Sequence, residues 1–231
     1  MDPIFNLYER LWKNIVKAKH ICINKVYDLN EPLAAHVLVI EANKLALEEI
    51  KEPLNTLLVK MLRCLQFFHE CGYLYRNVHP SHVMQSFEDN IVFIDFKNVR
   101  KFVDIKGRHL QVSSSNEFVD EFASNARIRG VAEGRKDDLE CLGYLALFML
   151  EGALPWNIKN IIEMRTSLTL KQLFGRYGAL FEYMLTVVQM PTEETPNYDR
   201  LAEILKNGAY WFEINLSLIY GYPLLKYDWD H

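Results

Sequence analysis

The stretch GYLYRNVHPSHVMQSFEDNIVFIDFK, Gly72 to Lys97, sets the frame in which the rest of the chain is read. Upstream of it, Leu54, Leu57, Leu58, Met61, Leu62, Leu65 and Phe68 recur at helical spacing, which predicts a long helix with one apolar face. Gly72 follows as the C′ residue that closes it. A polar loop, Tyr75-Arg76-Asn77-Val78-His79-Pro80-Ser81-His82, then leads to the apolar run Ile91-Val92-Phe93-Ile94 and to Asp95-Phe96-Lys97. His79 and His82 stand three residues apart, a spacing that can hold a metal ion, but no third ligand is recognisable nearby and no metal is expected from the sequence.

A chain of 231 residues can bury a substantial core in one domain or two small ones. Half of its residues are hydrophobic and 24% are charged, the balance of a globular protein. A net charge of −4 offers no broad basic face, so direct nucleic-acid binding is not expected. No apolar run is long enough to span a bilayer and no secretory signal opens the chain, so no membrane association is expected either. Cys22, Cys64, Cys71 and Cys141 form no C-x-x-C pair and read as reduced, buried thiols, which places the expected compartment in the cytoplasm or nucleus.

Beyond Lys97 the chain is polar to about Glu117, with Gly107 and the Ser113-Ser114-Ser115 run, as in a loop that is mobile or open to modification. There follow Glu121-Phe122-Ala123-Ser124, Gly130-Val131, the run from Arg135 through Asp138-Leu139-Glu140-Cys141-Leu142-Gly143-Tyr144, and Gly152-Ala153-Leu154-Pro155-Trp156. Leu139, Leu142, Leu145, Ala146, Phe148, Met149 and Leu150 make the helix between them apolar on nearly all sides, so it belongs at a domain centre. In this order and register the motifs resemble the casein kinase 1 superfamily, whose members carry R-R-x-D-L-E-x-L-G-Y and G-x-L-P-W. The E-F-x-S flavour, with Thr195-Pro196-Asn197-Tyr198-Asp199-Arg200-Leu201, is similar to the vaccinia-related kinase branch, which includes a poxvirus pseudokinase.

The resemblance implies an α+β, mostly α, protein-kinase-like fold. A severely reduced N-terminal lobe would cover residues 1–43, and a complete helical C-terminal lobe with an aromatic tail would cover 44–231. It lays the H-R-D-x-K-P-x-N catalytic loop on Tyr75 to His82 and the D-F-G motif on Asp95-Phe96-Lys97. On that register Asn77 stands at the base position, and an amide has no basic oxygen at neutral pH. His79 takes the position of a phosphate-binding lysine. His82 takes that of the second metal ligand, a nitrogen where Mg²⁺ prefers oxygen. Lys97 replaces a glycine, and its ammonium is able to pair with Asp95, the one position that keeps its group. Arg76 and Asp138 match the arginine and aspartate that hold the loop together, a structural role.

Toward the start, Asp2-Pro3 opens a helix with Phe5, Tyr8, Leu11, Trp12, Ile15 and Val16 on one face, in the place of the αC helix, with Glu9 as its glutamate. Remnant strands are expected at Ile21 to Tyr27 and Val37 to Glu41, and a short helix at Leu45 to Ile50. A glycine-rich loop and a strand lysine are expected to be lacking. Toward the end, helices are expected at about 168–174, 179–189 and 198–207, and the aromatics from Tyr210 to Trp229 either pack on their own lobe or face a partner.

The expectation drawn from these substitutions is a catalytically inactive pseudokinase that needs no cofactor and acts by binding proteins. The partner would be an active kinase of the same superfamily or its substrate, and a homodimer through an uncovered strand edge is a further option. The alternatives are a non-catalytic nucleotide sensor and an atypical phosphotransferase using Asp95 with His79 or His82.

Overall fold

The computed structural model describes residues 26–27, 39–40, 45–47, 50, 52–85, 90–110, 112 and 119–208. The expected αC-like helix with Glu9, the lobe boundary near residue 43 and the aromatic tail lie outside these residues. The described chain is mostly helical, with three small antiparallel sheets. Strand β1 (Val26–Tyr27) pairs with β2 (Val39–Ile40). Strand β3 (Leu45–Ala46) pairs with β5 (Val83–Gln85), which pairs in turn with β6 (Ile91–Phe93). Strand β4 (Tyr73–Leu74) pairs with β7 (Arg100–Lys101). Leu45–Ala46 is therefore not the start of the short helix that its local composition suggests. Its backbone is claimed by the edge of β5, a long-range pairing that no local window contains.

Helix α1 (Leu54–Glu70) buries Leu57, Leu58, Met61, Leu62, Leu65 and Phe68, the stripe predicted from the spacing. Gly72 ends it with φ +87°, a left-handed conformation that glycine adopts without penalty. A short helix α2 (Asn125–Ile128), capped by the Ser124 side chain, escapes prediction because it is a single turn. Helix α3 (Arg135–Glu151) is buried without interruption from Asp137 to Met149, so it is the centre of the helical body, and Gly152 stops it at φ +77°. Helices α4 (Ile161–Ser167), α5 (Leu170–Phe174), α6 (Gly178–Gln189) and α7 (Tyr198–Lys206) close around it, with α6 packed on α3 and α7 bridging α1 and α6. Thr169 and Gln172 form a capping box on α5, and Asn197 caps α7 through Arg200 N–H. Among the described residues no helix is long and apolar enough to cross a membrane.

The contact between α3 and α6 depends on Gly143. A Cβ there would lie 1.9 Å from Sδ of the fully buried Met184. Gly143→Ala is expected to destabilise the fold by about 1–3 kcal/mol, since overpacking outweighs the gain in helix propensity. In urea unfolding the pair Gly143→Ala, Met184→Ala should lose less than the sum of the two single changes. Strict additivity would show that the two residues do not compete for the same space.

Candidate functional site

The loop from Tyr75 to His82 is held from behind by one carboxylate. Asp138, 1% exposed in the first turn of α3, accepts hydrogen bonds from the backbone N–H of Tyr75 (2.7 Å) and Arg76 (2.6 Å). Its Oδ2 also lies 2.9 Å from His69 Nε2, in the last turn of α1. A carboxylate can only accept, so the His69 proton sits on Nε2, and Nδ1 accepts from the Tyr198 hydroxyl at 2.6 Å. One chain of hydrogen bonds thus ties α3, α1 and α7 to the loop.

Arg76 adopts φ +63°, unusual for a residue with a side chain, and Asp95 adopts φ +58°. The Arg76 guanidinium turns inward onto Glu133, with Nη2 at 2.9 Å and Nε at 3.1 Å. Glu133 is fully buried and shared with Arg127, whose Nη2 and Nε lie at 2.6 and 3.1 Å and whose Nη1 donates to the Arg76 carbonyl. Burial disfavours charge on Glu133, but the guanidiniums of Arg127 and Arg76 prevail and hold its carboxyl below the usual range. Tyr75, at the position next to this arginine, faces the core instead, stacked 4.6 Å from Phe93 with its hydroxyl donating to the Ile94 carbonyl.

The front of the site is built by Asn77, His79, His82, Asp95 and Lys97. Asn77 Nδ2 donates to the Asp95 carbonyl (3.0 Å), and its Oδ1 lies 3.3 Å from Asn98 Nδ2. The amide is thereby used as a clamp between the two loops, accepting on one side and donating on the other. His82 Nδ1 lies 3.0 Å from the Asn77 carbonyl, and its Nε2 lies 3.3 Å from Asp95 Oδ2. Lys97 Nζ is 2.8 Å from the same oxygen. Burial disfavours charge on Asp95, yet the Lys97 hydrogen bond and the charges of His82 and Lys97 outweigh it, so the carboxyl titrates below its ordinary value. His79 accepts from the Ser81 N–H through Nδ1 (3.2 Å) and rests edge-on against Phe122. Its burial, with His82 and Lys97 nearby, lowers its pKa to about 4, so it is neutral at physiological pH. Of the two histidines, then, only His82 reaches Asp95. Among the described residues no cluster of three metal-ligating side chains occurs.

Asp137 lies just behind, buried, with Oδ2 accepting from Gly134 N–H (2.7 Å). Burial pushes its pKa up from 3.8 to about 7 against the pull of that N–H, and the charge of Glu140 adds to the rise. The fold therefore favours the protonated acid, and its contribution is complete below 3.8 and is lost as pH rises toward about 7. Glu133 acts in the opposite sense, since its contribution disappears as pH falls. Asp137→Asn is expected to remove the decline of stability toward neutral pH, measured as urea midpoints across that window, while leaving the loss on the acid side. An unchanged slope would show that Asp137 does not titrate there.

His69, Asn98, Arg127 and Glu133 escape prediction. His69 carried a signal, a polar residue on the buried stripe of α1 beside Leu65 and Phe68. Glu133 carried none, because its partner Arg76 lies 57 residues away in the chain.

No family model matches the chain. Curated relatives do. A protein named B1 kinase from Variola virus is 29% identical over 173 residues, which are 66% of this chain and 57% of the relative. The B1 kinases of Vaccinia virus strains Ankara and Western Reserve are each 28% identical over 222 residues, covering 87% of this chain and 71% of the relative. The chain is thus homologous to the poxvirus B1 kinases over most of its length, which supports the kinase-like reading of the fold. The same relatives correct the expectation of a catalytically inactive, non-enzymatic binding protein, for the proteins this chain resembles are named as kinases. That expectation counted missing side-chain groups one at a time, whereas phosphoryl transfer rests chiefly on positioning and electrostatics.

Proposed function

We infer that the chain is a phosphotransferase of the protein-kinase type, related to the vaccinia-related kinase branch, with Asp95 as the group on which transfer depends. The observation that carries the reading is the held geometry of Asp95. Its carboxylate is kept ionised beside His82 and Lys97, at a left-handed backbone position, on a loop pair clamped by Asn77 and anchored by Asp138. Asp95 and His82 are the residues that would hold a nucleotide-bound divalent cation, which would supply neutralisation of charge on the phosphates. The chain's own part is to hold the Asp95 carboxylate and the His82 ring in place and to keep Asp95 charged.

Asn77 supplies no base. General-base assistance contributes typically about 10²–10⁴-fold, so turnover should be slow compared with an enzyme that has a carboxylate there. An acceptor protein would lose its hydroxyl proton late, to solvent, as a loose transition state permits. The test is transfer of labelled γ-phosphate from ATP to the chain itself and to casein or histone, with Mg²⁺ or Mn²⁺. Label incorporation no greater than that of an Asp95→Asn variant under every cation would overturn the reading.

A further inference from the structure

We propose that the hairpin from Lys101 to Leu110 is a contact site for anionic phospholipid membranes, with Ile105 entering the headgroup layer and Lys101, Lys106 and Arg108 facing the lipid phosphates. The inference is independent of phosphate transfer.

The hairpin is rooted in a small core of its own. Phe102 is fully buried with Leu74 and Val112, and Val103 packs on them, apart from the larger core of the helical body. Strand β7 pairs with β4 at the base, and Phe102 N–H donates to the Gly72 carbonyl at 3.0 Å. Leu110 N–H donates to the Phe102 carbonyl (2.7 Å) and Asp104 N–H to the Arg108 carbonyl (2.9 Å), which zips the two arms. Asp104 sets the apex. Its Oδ1 accepts from the N–H of Lys106 (2.7 Å) and of Arg108 (2.9 Å), and its Oδ2 accepts from Arg108 Nε at 2.7 Å. The turn is therefore held in one shape by its own hydrogen bonds.

What the apex presents is an apolar tip among cations. Residues 105–108 are all exposed, and Ile105, at 93%, is the most exposed large hydrophobic side chain among the described residues. Leu110, on the same hairpin, is 40% exposed. Between 101 and 110 three cations stand against one carboxylate, in a chain whose net charge is −4. That carboxylate is engaged inside the turn, so the outward charge is positive. A local positive tip is compatible with a negative chain, because exposed charges are screened beyond about 10 Å.

Cations alone fit any polyanion, and the apolar tip decides between them. An isoleucine gains by leaving water for the boundary between headgroups and acyl chains, and gains nothing on a phosphodiester backbone. Buried apolar area and attraction to anionic lipid add, which gives a weak, reversible and salt-sensitive attachment. Such a contact needs no spanning helix.

The test is flotation of the full chain with vesicles of phosphatidylcholine alone and with about one third phosphatidylserine. Binding is expected only to the anionic vesicles, and it should be lost at about 1 M salt, where the screening length falls to about 3 Å. Ile105→Ser should weaken partition about tenfold, and Lys106→Ala about fivefold. Both side chains are exposed, so the variants should keep the circular dichroism of the wild-type chain. Ile158→Ser, at a position 57% exposed outside the hairpin, should bind as wild type does. Absence of wild-type binding to anionic vesicles overturns the proposal, as does an Ile105→Ser protein that binds equally well or an Ile158→Ser protein that is equally weakened. Retention by duplex DNA with vesicles ignored would overturn it too, and would assign the cations to nucleic acid.

Discussion

Asp95→Asn is expected to reduce phosphate transfer by at least about 10²–10³-fold, the effect of removing one preorganised electrostatic group from a reaction centre. The variant is chosen for its backbone as much as for its charge. Asp95 sits at φ +58°, and asparagine tolerates the left-handed region better than most residues with a side chain. Asparagine therefore keeps the loop conformation and the size of the side chain while removing the negative charge. Alanine would add backbone strain of roughly 1–2 kcal/mol and confuse the two effects. The change forfeits the contacts of Asp95 with His82 and with Lys97; the Lys97 side chain is half exposed, and such exposed pairs contribute about 0–1 kcal/mol. Loss of transfer with a nearly unchanged unfolding midpoint is the expected combination. Full transfer in this variant would remove Asp95 from the mechanism.

Asp138→Ala should be the most damaging single change to the fold. It leaves the N–H groups of Tyr75 and Arg76 buried without their acceptor, at about 1–3 kcal/mol each, and strips His69 of its partner as well. A total of about 2–6 kcal/mol is a large part of the roughly 5–15 kcal/mol by which a domain is stable. Arg76 is affected twice, because the Asp138 bond also holds its backbone at φ +63°, a conformation that itself costs about 1–3 kcal/mol. Asp138→Asn keeps one acceptor oxygen and should fall between. Urea unfolding monitored by circular dichroism orders the three proteins. An Asp138→Ala midpoint within error of wild type would mean that the loop does not depend on this carboxylate.

The long helices were open to sequence reading because their signals are local. The stripe from Leu54 to Phe68, the all-round apolar run after Asp138 and the terminal Gly72 each follow from helical period and from the left-handed freedom of glycine. The small sheets were legible only in part: β1, β2 and β6 fall within the segments Ile21–Tyr27, Val37–Glu41 and Ile91–Ile94 read as extended, whereas β3, β4, β5 and β7, of two or three residues each, carry too little alternation to be seen. The Leu45–Ala46 strand contradicted its own composition for that reason. In the segment after Lys97, read from its polarity to about Glu117 as a loop that is mobile or open to modification, the described residues form β7 and bridges from Val103 to His109 and from Val112 to Glu133, pairings that no local pattern announced.

The sequence by itself determined which side chains stand in the loop and at the strand end. It therefore determined that Asn77 offers an amide, His82 a nitrogen and Asp95 a carboxylate. The judgement that such a set means inactivity did not survive comparison with the B1 kinases. Only the tertiary structure decided what each group faces. His79 and His82 are equivalent as letters three apart, but one is turned to Ser81 and Phe122 and the other to Asp95. Spacing along the chain fixes distance along the backbone. The direction of a ring depends on the partners that hold it, which are Ser81 for His79 and, for His82, Asn77 together with Asp95 from a separate segment.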